Sequence, residues 1–149
     1  MLPPRIDAKA VREKIGAYAD KKATQDERAA IYKELIGFVP PRIEARLAVT
    51  GALDPTLVDL QEAMREHAMY PKCFDVKTAQ LMLFGMLLMD GSDAAVLHGI
   101  AARRAGASFE ELQAVISLCF LFRGLPAANR GAEILANIAR READSDAQG

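Results

Sequence analysis

The chain has 149 residues, of which 51% are hydrophobic and 26% charged, and its formal net charge is −1 at pH 7. This length suffices for one domain with a sizeable core. The near-neutral charge, without any run of Lys or Arg, argues against nucleic acid as a partner. The most apolar stretch, residues 81–89, has about half of the ~20 residues of a membrane span, and the N-terminus lacks the apolar segment of a signal peptide. We expect a cytoplasmic protein without membrane or nucleic-acid partners.

The two cysteines, Cys73 and Cys119, lie far apart in the sequence, and neither belongs to a C-x-x-C pair. This spacing is not typical of a disulfide framework, a zinc site or a redox motif. The sequence also contains no Gly-rich phosphate loop and no cluster of metal ligands. We therefore expect ordinary thiols, with Cys119 in the core, and we expect neither a cofactor nor a metal ion.

Helix start and stop signals recur along the chain, while no run of β-branched residues alternates with polar residues as in a strand. This pattern predicts an all-α fold, a compact bundle of about seven or eight helices. The predicted helices cover residues 8–19, 25–36, 41–51, 55–69, 76–89, 93–106, 109–123 and 126–141. The predicted N-terminal caps are Asp7, Asp54, Asp75 and Ser92, together with the capping boxes Thr24/Glu27 and Ser108/Glu111.

Two of these helices are unusually apolar. Residues 81–89 are apolar on nearly all sides of the helix, and residues 115–122 are almost as apolar. A monomer of this size covers two such helices with difficulty, so we predict a homo-oligomer, with a wholly intramolecular two-layer core as the alternative. Met82, Met86 and Met89 are interpreted as core or subunit interface rather than as a cofactor site.

From Gly37 onward, over about three quarters of the chain, the order and spacing of motifs resemble the carboxymuconolactone decarboxylase family, which includes alkylhydroperoxidase-D-like proteins. The motifs are GFVPP (37–41), FDVKT (74–78), LHGIAA (97–102), AGASFEEL (105–112) and FRGLPAAN (122–129). The resemblance implies an alkylhydroperoxidase-D-like helical domain over residues 37–141. A helical extension over residues 1–36 would precede it and a disordered polar tail over residues 142–149 would follow it. The resemblance also implies a trimer or hexamer.

One branch of this family uses thiol chemistry and resembles the pattern E-x11-C-x-x-C-x-x-x-H. Counting back from His98 places its cysteines at positions 91 and 94. Counting forward from Gln80, which takes the carboxylate position, places them at positions 92 and 95. Neither alignment contains a cysteine. Because peroxidase or disulfide-reductase activity needs a thiolate nucleophile, the sequence predicts that this chain lacks such activity.

The resemblance to the other branch implies a carbon–carbon lyase without metal or coenzyme, most simply a decarboxylase of a small anionic acid such as a 4-carboxymuconolactone-like lactone. Loss of CO2 leaves a dienolate that must be stabilised and then protonated on carbon. The family's histidine falls on His98, and an imidazole suits either proton donation or proton acceptance near neutral pH. The alternatives are a related lyase or isomerase reaction through the same enolate, and a non-catalytic oligomer that binds a small acid or a partner protein.

Alanines lie one helical turn before and after His98, at positions 94, 95, 101 and 102. This pattern predicts a floor of small side chains that leaves space for a ligand above the imidazole. From helix geometry alone the alternative is that another helix packs closely on the alanines while His98 hydrogen-bonds a backbone carbonyl. The family's histidine favours the first interpretation.

Glu66, His67 and Tyr70 lie at the end of the helix predicted over residues 55–69, where the true decarboxylases carry an acidic residue and a tryptophan. We predict that His67 and Glu66 assist His98 in catalysis and that Tyr70 contacts the substrate. The alternative is a solvated helix end at which His67 interacts favourably with the helix dipole.

Gln80, Arg123 and Asn129 are predicted to bind the anionic substrate. The amide of Gln80 can orient a carboxyl or lactone oxygen, although it cannot transfer a proton as a carboxylate does. Arg123 precedes the Gly-Leu-Pro turn, where its guanidinium and the free N–H groups of the next helix could hold an anion together. The alternative is that Arg123 caps the last carbonyls of its own helix.

Overall fold

A computed structural model of the chain describes residues 2–148. Within this range the protein contains eight α-helices and no β-strand, which confirms the predicted all-α class. The helices are α1 Ala8–Lys14, α2 Gln25–Ile36, α3 Pro41–Leu53, α4 Pro55–Met69, α5 Val76–Asp90, α6 Ala95–Arg104, α7 Phe109–Arg123 and α8 Leu125–Gln148. None of the helices in the described part is both long and apolar enough to cross a membrane.

The predicted capping signals account for most helix starts. Asp7, Asp54 and Asp75 each accept a hydrogen bond from a backbone N–H of the first turn. Both predicted capping boxes form, at the starts of α2 and α7. The start of α6 differs, because Ser92 accepts from the N–H of Ala94 within the preceding turn and the helix begins only at Ala95.

Helix α1 is shorter than predicted and ends at Lys14 rather than near Ala19. The chain leaves the helix at Gly16, whose φ of 138° is accessible to glycine but strained for other residues. The following loop is held by Asp20, whose carboxylate accepts a hydrogen bond of 2.9 Å from Nε of Arg28 on α2. This ion pair joins side chains that local sequence signals do not connect.

Helix α8 is longer than predicted, because it continues to Gln148 where the composition predicted an end near Arg141 and a disordered tail. Glu142 receives hydrogen bonds of 2.8 and 2.9 Å from Nε and Nη2 of Arg103. Arg103 is itself held against the ring of Phe109, at 4.2 Å from its centroid. The predicted tail is therefore helical as far as the structure describes it, and Gly149 lies outside the described residues.

The chain divides into two units, the first ending at Pro71 and the second beginning at Lys72. In the first unit, α3 packs against α1, α2 and α4. Side chains of α2 also reach α4, since the hydroxyl of Tyr32 lies 2.8 Å from the carboxylate of Glu62. The domain boundary predicted between residues 36 and 37 thus falls inside the first unit, between helices that share buried polar contacts.

In the second unit, α5 packs against α6, α7 and α8. The core of this unit contains Phe84, Leu88, Ala95, Ala102, Ala107, Leu112, Ile116, Cys119, Ala127, Ile134 and Ile138. Cys119 is 4% exposed, which confirms its predicted core position. Other apolar side chains of α5 and α7 stay exposed within the single chain, among them Met86, Leu121 and Phe122. Their coverage by other subunits stays a prediction.

The ion pair between Arg103 and Glu142 yields a test of the helical C-terminus. Glu142→Gln removes the charge on this partly exposed pair, so we expect the free energy of unfolding to fall by about 0.5–1 kcal/mol. Urea denaturation followed by circular dichroism measures the change. The matched control is Asp146→Asn, an exposed acid one turn further along α8. Equal effects of the two substitutions would show that the Arg103 contact does not stabilise the helix end.

Candidate functional site

The candidate site is a pair of polar side chains between α5 and α6. Nδ1 of His98 lies 2.7 Å from Oε1 of Gln80. The two helices are joined by a short turn at Gly91, whose φ of 70° permits the reversal of the chain. At Gly99 the backbone of α6 comes so close to Ile138 that an added Cβ would lie 2.8 Å from its Cδ1. Because Ile138 belongs to α8, tight packing of α6 on α8 fixes the backbone next to His98.

The amide oxygen of Gln80 determines which nitrogen of His98 is protonated. An amide oxygen only accepts hydrogen bonds, so Nδ1 of the imidazole donates and Nε2 carries the lone pair of the neutral ring. The structure shows no second hydrogen bond of this ring among residues 2–148. The chemically available nitrogen of His98 is therefore Nε2.

The amide nitrogen of Gln80 is a buried donor without an acceptor. Gln80 is 0% exposed, and its Nε2 has no hydrogen-bond partner in the described part of the chain. Leaving such a donor unpaired costs about 1–3 kcal/mol, and groups of this kind in folded proteins call for an explanation. A ligand oxygen bound beside the pair would satisfy this amide.

Burial lowers the pKa of His98 to about 4. At neutral pH the ring is therefore uncharged, because removal from water disfavours the imidazolium form. In this state His98 accepts a proton or a hydrogen bond at Nε2. To donate a proton from Nε2, the ring must first be protonated, and a bound anion favours that step by its charge.

The alanine face around His98 differs from the expected ligand floor. Ala95, Ala101 and Ala102 are each 0% exposed, and Ala95 and Ala102 belong to the core of the second unit. The fourth alanine, Ala94, is half-buried, so three of the four alanines serve close helix packing, as the alternative interpretation predicted. That alternative also expected a bond from His98 to a backbone carbonyl, whereas the ring bonds the side chain of Gln80.

Three other predicted site residues, Glu66, His67 and Tyr70, lie at the C-terminal end of α4 and immediately after it. All three side chains are exposed. They belong to the first unit, whereas His98 belongs to the second. Their participation in a site with His98 stays a prediction.

Arg123 and Asn129 lie near the junction of α7 and α8, and both are exposed. The last turn of α7 is closed by the backbone N–H of Gly124, which donates to the carbonyl of Phe120. Next to Asn129, Arg130 forms an ion pair with Asp93 in the turn before α6. The structure thus places Arg123 on the surface at a helix junction, and its role in substrate binding stays a prediction.

Sequence reasoning missed a polar cluster in the first unit, formed by Tyr32, Arg46, Glu62 and Arg65. Burial raises the pKa of Glu62, but the hydrogen bonds from Arg46 and Tyr32 and the two nearby guanidinium charges outweigh burial and hold it below its ordinary value. Burial and the neighbouring carboxylate raise the pKa of Tyr32 to about 12. Of these contacts, the sequence indicates only the pair of Glu62 and Arg65, because the two residues lie three positions apart on one helix.

The sequence model of the carboxymuconolactone decarboxylase family matches residues 55–137, more than half of the chain. The chain belongs to the carboxymuconolactone decarboxylase family. The matched region runs from the start of α4 into α8 and contains both Gln80 and His98. The family comprises decarboxylases and peroxidases. Comparison with curated proteins and with solved structures gives no match.

His98 makes the stability of the family domain depend on pH. Its folded-state pKa of about 4 lies below the ordinary value of 6.5, which we assign to the unfolded chain. The resulting stabilisation is complete above pH 6.5 and is lost as the pH falls to 4, because the unfolded chain binds the proton first. Over this window we expect the free energy of unfolding to fall by about 3 kcal/mol from this residue alone.

Urea denaturation at several pH values measures this effect, and His98→Gln isolates it, since carboxylates that titrate in the same range are common to both proteins. The wild type should lose more stability than the variant between pH 6.5 and 4. Proton NMR of the imidazole gives the pKa directly. A midpoint near 6.5 in the folded protein would contradict the buried neutral state.

Proposed function

We propose that the protein is a carbon–carbon lyase without metal or coenzyme that decarboxylates a small cyclic or lactone carboxylic acid, with His98 transferring the proton. Family membership supports the general class. The observation that carries the proposal is the hydrogen-bonded pair of the half-buried His98 and the fully buried Gln80, which combines a proton-transfer group with an unpaired amide donor. The proposed substrate is a small anionic acid related to 4-carboxymuconolactone.

The first chemical step breaks the bond between the ring carbon and the carboxylate. CO2 leaves, and the electron pair moves through the ring double bond onto the lactone carbonyl oxygen to give a dienolate. In the proposed complex the Nε2–H of Gln80 donates to this oxygen. A donor fixed in a buried place stabilises the growing negative charge more than the initial carbonyl, which lowers the barrier.

The second step returns the electron pair from oxygen to carbon, where a new C–H bond forms with a proton from Nε2 of His98. Since the resting imidazole is neutral, it takes up this proton from solvent when the substrate anion binds beside it. After the transfer the ring is neutral again. Each turnover therefore consumes one proton and one substrate anion, and it releases CO2 and the decarboxylated lactone.

In this scheme Gln80 positions His98 as well as contacting the substrate. By accepting from Nδ1 it orients the ring and leaves Nε2 as the reactive nitrogen. We further propose that His67 and Glu66 assist the proton transfer, while Tyr70, Arg123 and Asn129 orient the anion. The roles of these five residues rest on the family resemblance and on their polar, exposed side chains.

Self-association is part of the same proposal. On α7, Leu118, Leu121 and Phe122 are 64, 70 and 80% exposed within one chain. Apolar side chains that lie together on a surface are typical of an interface between proteins. We propose that further copies of the chain cover this face in a homo-oligomer, a trimer or hexamer by the family resemblance.

The decarboxylase proposal predicts turnover of 4-carboxymuconolactone or of one member of a panel of related γ- and β-keto acids. CO2 release and the absorbance of the ring follow the reaction. We expect His98→Ala to lower kcat by about 100-fold or more, because a positioned acid is lost. Gln80→Leu should lower kcat by about 100-fold, as loss of an oxyanion donor does.

The matched control is Gln113→Leu, an exposed glutamine on α7, which should keep wild-type activity. Circular dichroism and denaturation curves verify that each variant is folded. Unchanged turnover in His98→Ala would overturn the mechanism. Failure of the entire panel to release CO2 with folded wild-type protein would overturn decarboxylation of this substrate class.

The pH dependence tests whether His98 acts as the acid. The ratio kcat/KM reflects the protonation of the free enzyme, so it should fall about tenfold per pH unit above the His98 pKa of about 4. Gln80→Glu places a carboxylate beside Nδ1, raises the pKa of His98 and should move this fall to higher pH. Gln80→Leu adds no charge, so the decrease of kcat/KM should not begin at a higher pH in this variant. A kcat/KM that rises with pH above 4 would instead identify His98 as a base.

A further inference from the structure

The polar cluster of the first unit centres on Glu62 of α4, which is 4% exposed. Its carboxylate receives hydrogen bonds from Tyr32 of α2, from Arg46 of α3 and from Arg65 of α4. One buried carboxylate is thus shared by two guanidinium groups. The cluster stands apart from the proposed decarboxylase mechanism, which uses none of these side chains.

The two arginines differ in how well their donors are paired. Nη1 of Arg46 donates to Oε1 of Gln61 at 3.0 Å, and Nη2 donates to the hydroxyl of Tyr32 at 3.0 Å and to Glu62. Every terminal nitrogen of Arg46 therefore meets an oxygen. Arg46 serves as the structural partner of Glu62.

Arg65 lacks such partners on one edge. Its Nε contacts Glu62 at 3.3 Å, and the guanidinium lies over the ring of Tyr32, 4.4 Å from its centroid. Its Nη1 reaches only the sulfur of Met69, at 3.6 Å, and its Nη2 is buried without a partner among residues 2–148. The edge formed by Nη1 and Nη2 is thus held in a fixed plane without an oxygen acceptor.

The charges of the cluster also favour an anion as its ligand. Glu62 contributes one negative charge and the two arginines contribute two positive charges, while Tyr32 stays neutral because its pKa is raised to about 12. Taken together, these four side chains therefore carry one net positive charge.

We propose that the Nη1–Nη2 edge of Arg65 is a binding site for the carboxylate of a small ligand. Two parallel N–H groups match the two oxygens of a carboxylate, and stacking on Tyr32 fixes the guanidinium in the plane that this bidentate contact needs. A monoanion also neutralises the single excess charge. A carboxylate oxygen would displace the thioether of Met69, a weak acceptor on a flexible side chain.

The test uses the full-length, 15N-labelled protein and sodium acetate as the probe. The Nε–Hε signals of the arginines are followed by NMR during titration with acetate, with sodium chloride at equal ionic strength and pH, and with sodium phosphate. Acetate should shift the Arg65 signal saturably in the millimolar range, chloride should not, and phosphate should bind more weakly than acetate. Acetate should also raise the melting temperature.

Arg65→Lys keeps the charge but loses the two parallel donors, so acetate affinity should fall about tenfold or more. Arg12→Lys, at an exposed position of α1, is the matched control and should bind acetate as the wild type does. Met69→Leu removes the sulfur contact while keeping Arg65, and its affinity should be unchanged or higher. If Arg65→Lys fails to fold, the acetate titrations of Met69→Leu and of the wild type still test the proposed site.

Three results would overturn the proposal. Equal, non-saturating shifts with acetate and chloride would show only general ion effects. Tighter binding of phosphate than acetate would contradict a carboxylate site. Undiminished acetate affinity in folded Arg65→Lys would show that the parallel donors do not hold the anion.

Discussion

The packing of α5 against α6, α7 and α8 is the constraint on which the second unit depends. Helix α5 is apolar on nearly every side, so it is stable only where other helices cover it. Gln80 lies in this helix and is completely buried with it. An amide in such surroundings must find partners, and His98 on α6 satisfies only its oxygen. The site thus follows from one polar side chain in an otherwise apolar helix.

The helix starts could be predicted because their determinants are local. A capping side chain acts on N–H groups two or three residues away, and both capping boxes form as the sequence indicates. The ends of α1 and α8 depend instead on partners elsewhere in the fold. Glu142 is held by Arg103, and the loop after α1 is held by the pairing of Asp20 with Arg28. Such contacts leave no periodic or local signal.

The candidate site was predictable only in part. Family resemblance indicated His98 and Gln80 separately, but it did not indicate that the two side chains bond each other or that Nδ1 is the protonated nitrogen. The neutral state of His98 depends on burial, which helix periodicity alone does not establish. The alanines around His98 illustrate the limit, because small side chains suit a ligand floor and a close helix contact equally well. Burial of Ala95 and Ala102 decides for the contact.

A neutral amide beside His98 has a consequence that a carboxylate would not have. A carboxylate would stabilise the imidazolium ring in the resting protein and would repel an anionic substrate. Gln80 does neither, and burial alone governs the pKa of His98. In the proposed mechanism, the proton that His98 gains balances charge of the bound anion, together with the guanidinium of Arg123. Under this proposal, substrate binding and protonation of His98 are coupled, so the acid forms when the anion that requires it is bound.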